Sequence, residues 1–273
     1  MELQSRYDEI QAQGLGLAVI TYDPVETLRA YAEERGIEFP LLSDEGSVVI
    51  RDYDLLNREQ RPGVRIALAG DAILYGIPYP GTLMLDLEGR VTSRFFEPAY
   101  QERFTVSSIM VALGDAVDGT DRSATRLMTD HLEALVYATD RIVAPGNRFS
   151  LVVDVRPKAG MHVYAPGDHP YQVIRVRIET PEFIQTHEVA YPESEIYHFV
   201  PLDERVEVYK QPFRLVQEVT IPVSLEIAGL AAEPGTMITV EGRLAYQACD
   251  AAICYTPVEL PVSWTTKWRP LVR

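Results

Sequence analysis

Cysteine is nearly absent from this chain of 273 residues. Only Cys249 and Cys254 occur, both close to the C-terminal end. Two cysteines are too few for a disulfide-built scaffold. A four-ligand zinc site would need histidines that none of the neighbouring positions supply, so no metal is expected there. Basic residues are also in deficit: 25 Lys and Arg face 40 Asp and Glu, a net charge of -15. Such an acidic protein repels phosphate backbones, and no basic cluster offsets it, which excludes nucleic acid as a partner. No apolar run reaches the roughly 18–20 residues of a membrane span. The opening residues Met1-Glu2-Leu3 do not start the charged-then-apolar pattern of an export signal. A Gly-x-Ser-x-Gly elbow, a phosphate-binding loop and a His-Glu-x-x-His motif are all missing, and no bound cofactor is expected. What is present is an ordinary globular balance, 47% hydrophobic and 24% charged.

The two halves differ in periodicity. In the first, Leu3, Tyr7 and Ile10 line one face of a helix predicted over Glu2–Gln13. Leu17–Tyr22 is a continuous apolar run, expected as a strand buried on both faces. Asp23-Pro24 starts a second helix as N-cap and first helical residue, and Gly36 ends it. A short extended piece over Phe39–Leu42 and a third helix over Ser47–Leu55 follow. Thr82–Asp86 and Val91–Phe95 make a hairpin turning at Gly89, and Pro98–Leu113 is expected as a closing helix. This alternation predicts an α/β domain over 1–114. A polar linker is expected over 115–130. Beyond it, Arg148–Val155, Tyr171–Ile178, Phe213–Val219, Met237–Ala245 and Val258–Trp264 are short and rich in Val, Ile, Thr and aromatics. Turn clusters separate them, which predicts an all-β sandwich over 131–268.

The chemistry sits in Tyr246-Gln247-Ala248-Cys249-Asp250-Ala251-Ala252-Ile253-Cys254-Tyr255-Thr256-Pro257. Four residues between the cysteines place both on one hairpin loop, within reach of a disulfide. Such a bond is either a structural staple or an exchangeable redox pair. A loop this short removes little unfolded-state entropy, which argues against the staple. The small alanines and Asp250 suggest an accessible rim.

This stretch resembles the amino-terminal domain of the DsbD thiol:disulfide interchange proteins, over roughly His131–Lys267. The resemblance implies an immunoglobulin-like domain whose two cysteines take electrons from a membrane partner and pass them to oxidised periplasmic proteins. Carried over, Cys249 and Cys254 become the catalytic pair, with Cys254 as the attacking thiolate. Gly160-Met161-His162-Val163-Tyr164 resembles the strand whose aromatic residue lies beside the cysteines, here Tyr164. Leu202-Asp203-Glu204-Arg205 resembles the acidic cap loop, with Asp203 and Glu204 as its carboxylates and no matching cap aromatic. Tyr246, Asp250 and Tyr255 join the near-site candidates by adjacency.

The first half resembles the redoxin branch of the thioredoxin-like fold. The resemblance rests on Leu17–Asp23 with its helix and on Tyr75-Gly76-Ile77-Pro78-Tyr79-Pro80-Gly81-Thr82-Leu83-Met84-Leu85-Asp86-Leu87-Glu88-Gly89-Arg90 with its hairpin. It implies a cis peptide before Pro80, beside the place of a redox cysteine. In redoxins that cysteine begins a helix after a central strand, yet this chain opens inside the corresponding helix and has no cysteine before Cys249. The resemblance therefore implies a thioredoxin-like domain incomplete at its N-terminus, part of a longer protein carrying the missing strand, a Cys-x-x-Cys and an export signal. The gap in the sheet would be closed by another segment, by rearranged pairing, or by a second copy in a homodimer.

Together these expectations describe a thiol:disulfide oxidoreductase acting between redox partner proteins, thioredoxin-like or membrane-bound, in a periplasmic or other extracytoplasmic setting. The rival from another class is a non-catalytic binding module with a structural disulfide, attached to an inactive redoxin-like domain.

Overall fold

The computed structural model describes residues 2–56, 78–96, 102–114, 124–179, 183–199, 203–223 and 235–269. The chain divides into two compact units, Met1–Tyr100 and Gln101–Val272.

In the first unit, helices Glu2–Ser5 and Tyr7–Ala12 replace the single helix expected there. Strand Val19–Thr21 runs parallel to Leu41–Ser43, with Ile20 opposite Leu42. Both of these side chains are exposed, at 45% and 47%. The strand is therefore not buried on both faces. Among the described residues these three pair with a single neighbour, and every second side chain faces outward. Helix Val25–Arg35 ends where Gly36 turns left-handed at φ 61°. Its cap position is Pro24, not Asp23, whose carboxylate instead accepts the Thr21 hydroxyl at 2.6 Å. Helix Val48–Asp52 is shorter than expected. Its first N–H groups, from Val48, Val49 and Ile50, all donate to the Asp44 carboxylate. The hairpin Gly81–Leu85 with Val91–Phe96 forms as read, turning at Gly89 with φ 78°. The expected cis bond does not form: the described residues contain no cis peptide, so Tyr79–Pro80 is trans. Trans is the lower-energy state for X–Pro, and here the Tyr79 N–H is used on the Leu55 carbonyl at 2.8 Å. Residues Tyr75–Ile77 of the redoxin-like stretch lie outside the described residues.

The second unit is mostly sheet. The largest sheet runs in the order Gln185–Ala190, Phe213–Thr220, Asn147–Pro157, Leu132–Ala138, Thr125–Met128, with Arg103–Phe104 added parallel to the start of the central strand. A second sheet orders Arg175–Glu179, Met237–Tyr246, Val258–Trp268 and Ile142–Val143. These two sheets share one core, in which Val136, Phe149, Leu151, Val153 and Leu215 meet Val240, Leu244, Val262 and Trp264. The alternation of strands explains the selection. Phe149, Leu151 and Val153 face that core, while Val152 between them joins Tyr137 and Val111 on the opposite face. Val111 belongs to helix Val106–Ala112, capped by the Thr105 hydroxyl accepting from the Ser108 N–H. The helix read over Pro98–Leu113 is thus shorter than expected and lies in the second unit. Residues 115–123 of the expected linker lie outside the described residues, and Thr125–Met128 is a strand. A third sheet, in the order Glu195–Phe199, Glu204–Tyr209, His162–Tyr164, Ala248–Cys249, carries the cysteines.

Candidate functional site: the cysteine pair and its aromatic surround

Cys249 ends a two-residue strand at the edge of the third sheet, paired with His162–Tyr164 so that His162 stands opposite Cys249. The chain then turns through Asp250–Ile253 and returns, making an isolated bridge between Cys249 and Cys254. A narrow turn brings the Cα atoms to 4.1 Å, and the two sulfurs form a disulfide. The two ends differ in exposure. Cys249 is 1% exposed, inside a cluster with Tyr164, Val206 and Val208, whereas Cys254 is an exposed residue. The accessible rim therefore runs over residues 251–254, with Cys249 buried beneath it.

Asp250 builds the turn. Its Oδ1 accepts the N–H groups of Ala252 and Ile253 at 2.7 and 2.8 Å, and its Oδ2 accepts the Tyr255 hydroxyl at 2.9 Å. Those hydrogen bonds favour the ionised form, so the Asp250 carboxyl is held below its ordinary range, and the same contact pushes the Tyr255 hydroxyl up. A folded-state pKa below the unfolded one contributes stability that is present above the ordinary value of 3.8. That stability is lost as pH falls through the lower folded value. Amide-exchange protection of Ala252 and Ile253 is expected to hold from neutral pH down to that window and vanish below it. Asp250→Ala should lose the protection at every pH; retention in that variant would show that the turn is held by something else.

Tyr164 bridges the pair. Its hydroxyl is 3.1 Å from Cys249 Sγ and 3.2 Å from Cys254 Sγ. Disulfide sulfurs carry no proton, so the hydroxyl is the donor. Burial pushes its pKa up, reinforced by Tyr171 and Glu204, and the donor stays protonated. Tyr171 lies flat on Tyr164, with ring centroids 4.2 Å apart and 4° between planes. The Tyr171 hydroxyl donates to Glu204 Oε2 at 2.5 Å. His169 completes the cover from the same loop, its ring 5.2 Å from that of Tyr164.

Of the residues expected from sequence, the structure brings together Cys249, Cys254, Tyr164, Asp250 and Tyr255, with Glu204 joined through Tyr171. Asp203 is elsewhere: it is left-handed at φ 52° and paired with His198 Nε2 at 2.7 Å at the exposed end of its hairpin. Tyr246 is a core residue with no exposed surface, its hydroxyl donating to Thr129 Oγ1 at 2.9 Å. Tyr246 ends a strand of the second sheet while Cys249 belongs to the third, so nearness in sequence to Cys249 did not make it a site residue. Sequence reasoning missed Tyr171, His169, His162 and Tyr197. His162 had a readable signal, since it lies two residues from Tyr164 and so shares its face. The other three arrive through loop and sheet geometry.

Residues 133–263 match the family model for the thiol:disulfide interchange protein DsbD, N-terminal, and residues 1–94 match that of the AhpC/TSA family. The first region is thus redoxin-like and the β-rich second region is similar to the DsbD amino-terminal domain. Two solved structures are similar over parts of the chain. The Neisseria meningitidis DsbD N-terminal domain in its reduced form shares 16% identity, over 43% of this chain and 78% of its own, with a TM-score of 0.30. The N-terminal periplasmic domain of ScsB from Proteus mirabilis shares 12%, over 54% of this chain and 51% of its own, with a TM-score of 0.36. No curated protein matches the sequence.

Proposed function

We propose that the chain performs thiol–disulfide exchange through Cys249 and Cys254, passing electrons between protein partners of the thioredoxin-like kind. The observation that carries this is the asymmetric disulfide: one sulfur's residue is exposed, the other is buried, and one protonated tyrosine touches both. The family match over 133–263 supports the same chemistry. In the reducing half-reaction a partner thiolate attacks Cys254 Sγ. The Cys249–Cys254 bond breaks, a partner–Cys254 disulfide forms, and the electron pair leaves on Cys249 Sγ, where the Tyr164 O–H meets the new charge. A second partner thiol then attacks its own sulfur, releasing Cys254 and leaving the partner oxidised. In the other direction Cys254 gives up its proton and attacks a partner disulfide as the thiolate, and Cys249 resolves the adduct.

The two core-sharing sheets act as an immunoglobulin-like support for this loop. The setting is an oxidising, extracytoplasmic compartment where such a bond persists. The redoxin-like first region contributes no thiol, because both cysteines of the chain lie in the second. The direct test mixes the oxidised chain with a reduced thioredoxin-like protein and follows both redox states by thiol labelling. Transfer of two electrons to the pair is expected, and its complete absence would refute the reading. Tyr164→Phe should keep the fold and the disulfide but slow exchange by roughly 10- to 100-fold, the loss of one hydrogen bond to a developing charge. An unchanged rate would remove Tyr164 from the mechanism.

A further inference from the structure

Exchange leaves charge on Cys249, which is 1% exposed. A thiolate released into such a place is strongly disfavoured without a partner. The strand pairing supplies one. His162 stands directly opposite Cys249 in an antiparallel pair, so their side chains share a face, with Cβ atoms about 4.5–5.5 Å apart. The same face carries Tyr164, two residues on, whose hydroxyl reaches both sulfurs. The His162 ring is 4% exposed, set edge-on to Tyr164 at 6.0 Å and tilted against Tyr197 at 4.5 Å. Nothing in the exchange proposed above uses this buried imidazole.

We propose that His162 is a positioning residue that takes up a proton when Cys249 is released, holding the reduced pair as a Cys249 thiolate beside an imidazolium. This deepens the exchange reading and rests on it. The step balances. A partner dithiol loses two electrons and becomes a disulfide, the Cys249–Cys254 bond breaks, and the dithiol's two protons end on Cys254 Sγ and, through solvent, on His162.

The charges around the ring fit a group that is neutral in the oxidised state and charged in the reduced one. Burial disfavours the imidazolium, and Lys210, just past the end of the flanking strand Glu204–Tyr209, disfavours it further, so its pKa lies below the ordinary histidine range. Asp250 and Glu195 act the other way. Lys210 is itself engaged, 3.3 Å from Glu195 Oε2 and over the Tyr197 ring at 4.5 Å. The rings of Tyr164 and Tyr197 lie against it, and the Tyr164 hydroxyl stays protonated. Adding a thiolate across the strand pair tips this balance toward protonation.

The test has two arms, both on the full chain. In the wild-type protein, NMR titration of His162 is expected to show a midpoint at least about one pH unit higher in the reduced than in the oxidised state, a tenfold change in protonation. In reduced Cys254→Ala, where Cys249 is the one thiol left, the thiolate's ultraviolet absorbance is titrated with and without His162→Gln. Removing the imidazole should raise the thiolate midpoint by a similar amount. Equal His162 midpoints in the two redox states, or a thiolate midpoint that His162→Gln does not move, would overturn the proposal. The wild-type arm decides the matter if His162→Gln fails to fold. Absent exchange with a coupled titration would instead count against the exchange reading alone.

Discussion

Cys249→Ala is expected to accumulate mixed disulfides, because Cys254 can still bond to a partner sulfur while the thiol that would resolve the adduct is gone. Cys254→Ala is expected to accumulate none, since its remaining sulfur is buried beneath Tyr164. Turnover should fall to background in both. The contrast follows from exposure: a partner reaches the exposed residue Cys254, but meets Val206, Val208 and Tyr164 packed around Cys249. Non-reducing gels read the outcome after each reduced variant is mixed with a thioredoxin-like protein that keeps only its attacking cysteine. That cysteine is activated as a mixed disulfide with a small thiol, so that no partner thiol can resolve the adduct; excess thiol reagent then releases it. Trapping by Cys254→Ala alone would reverse the two roles. Trapping by neither would favour a binding module whose disulfide is only structural.

The largest stability effect is expected at Trp264. It is 1% exposed at the centre of the core between the two larger sheets, and its Nε1–H donates to the Val152 carbonyl at 3.1 Å. Its ring edge also fills the space over Gly242, where an added Cβ would lie 3.1 Å from the ring and 2.6 Å from the Arg177 carbonyl. Trp264→Ala removes both the packing and the indole donor, leaves a cavity between two sheets that cannot close over it, and should cost about 3–5 kcal/mol. For a domain of this size that corresponds to a fall in melting temperature of roughly 10 °C. Thermal unfolding followed by circular dichroism checks this. A shift within about 2 °C would mean that the core does not depend on that ring. The disulfide should survive in the folded variant, because the Cys249 cluster is separate from the Trp264 core.

The sequence made the chemistry legible before the architecture. The spacing of Cys249 and Cys254 is local information, and a turn that short leaves their backbones little choice but to approach. The strands Phe213–Thr220, Met237–Tyr246 and Val258–Trp268 were visible because alternating apolar side chains face a shared core. Leu132–Ala138 was not, since Leu-Glu-Ala-Leu-Val-Tyr-Ala carries helix-favouring residues and becomes a strand through pairing with Asn147–Pro157. Gln185–Ala190 was hidden for the opposite reason: it is polar and largely exposed, held by its ladder to Phe213–Thr220. The aromatic surround shows the same limit. Tyr164 was legible through a resemblance and His162 through its spacing, but Tyr171 reaches Tyr164 by a loop whose course depends on the finished sheet. Glu204 was named for a cap and reaches the site instead through the Tyr171 hydroxyl.

That the Cys249–Cys254 bond exchanges with partners and does not merely fasten a loop is a statement about its redox poise. Its most direct test is the equilibrium reduction potential of the pair in the full chain, set by a series of thiol–disulfide buffers and read by thiol labelling. Exchange with thioredoxin-like partners predicts a value above about -300 mV, within the roughly -120 to -270 mV spanned by such proteins. A value well below about -300 mV, with the bond resisting reduced thioredoxin-like protein, would contradict it.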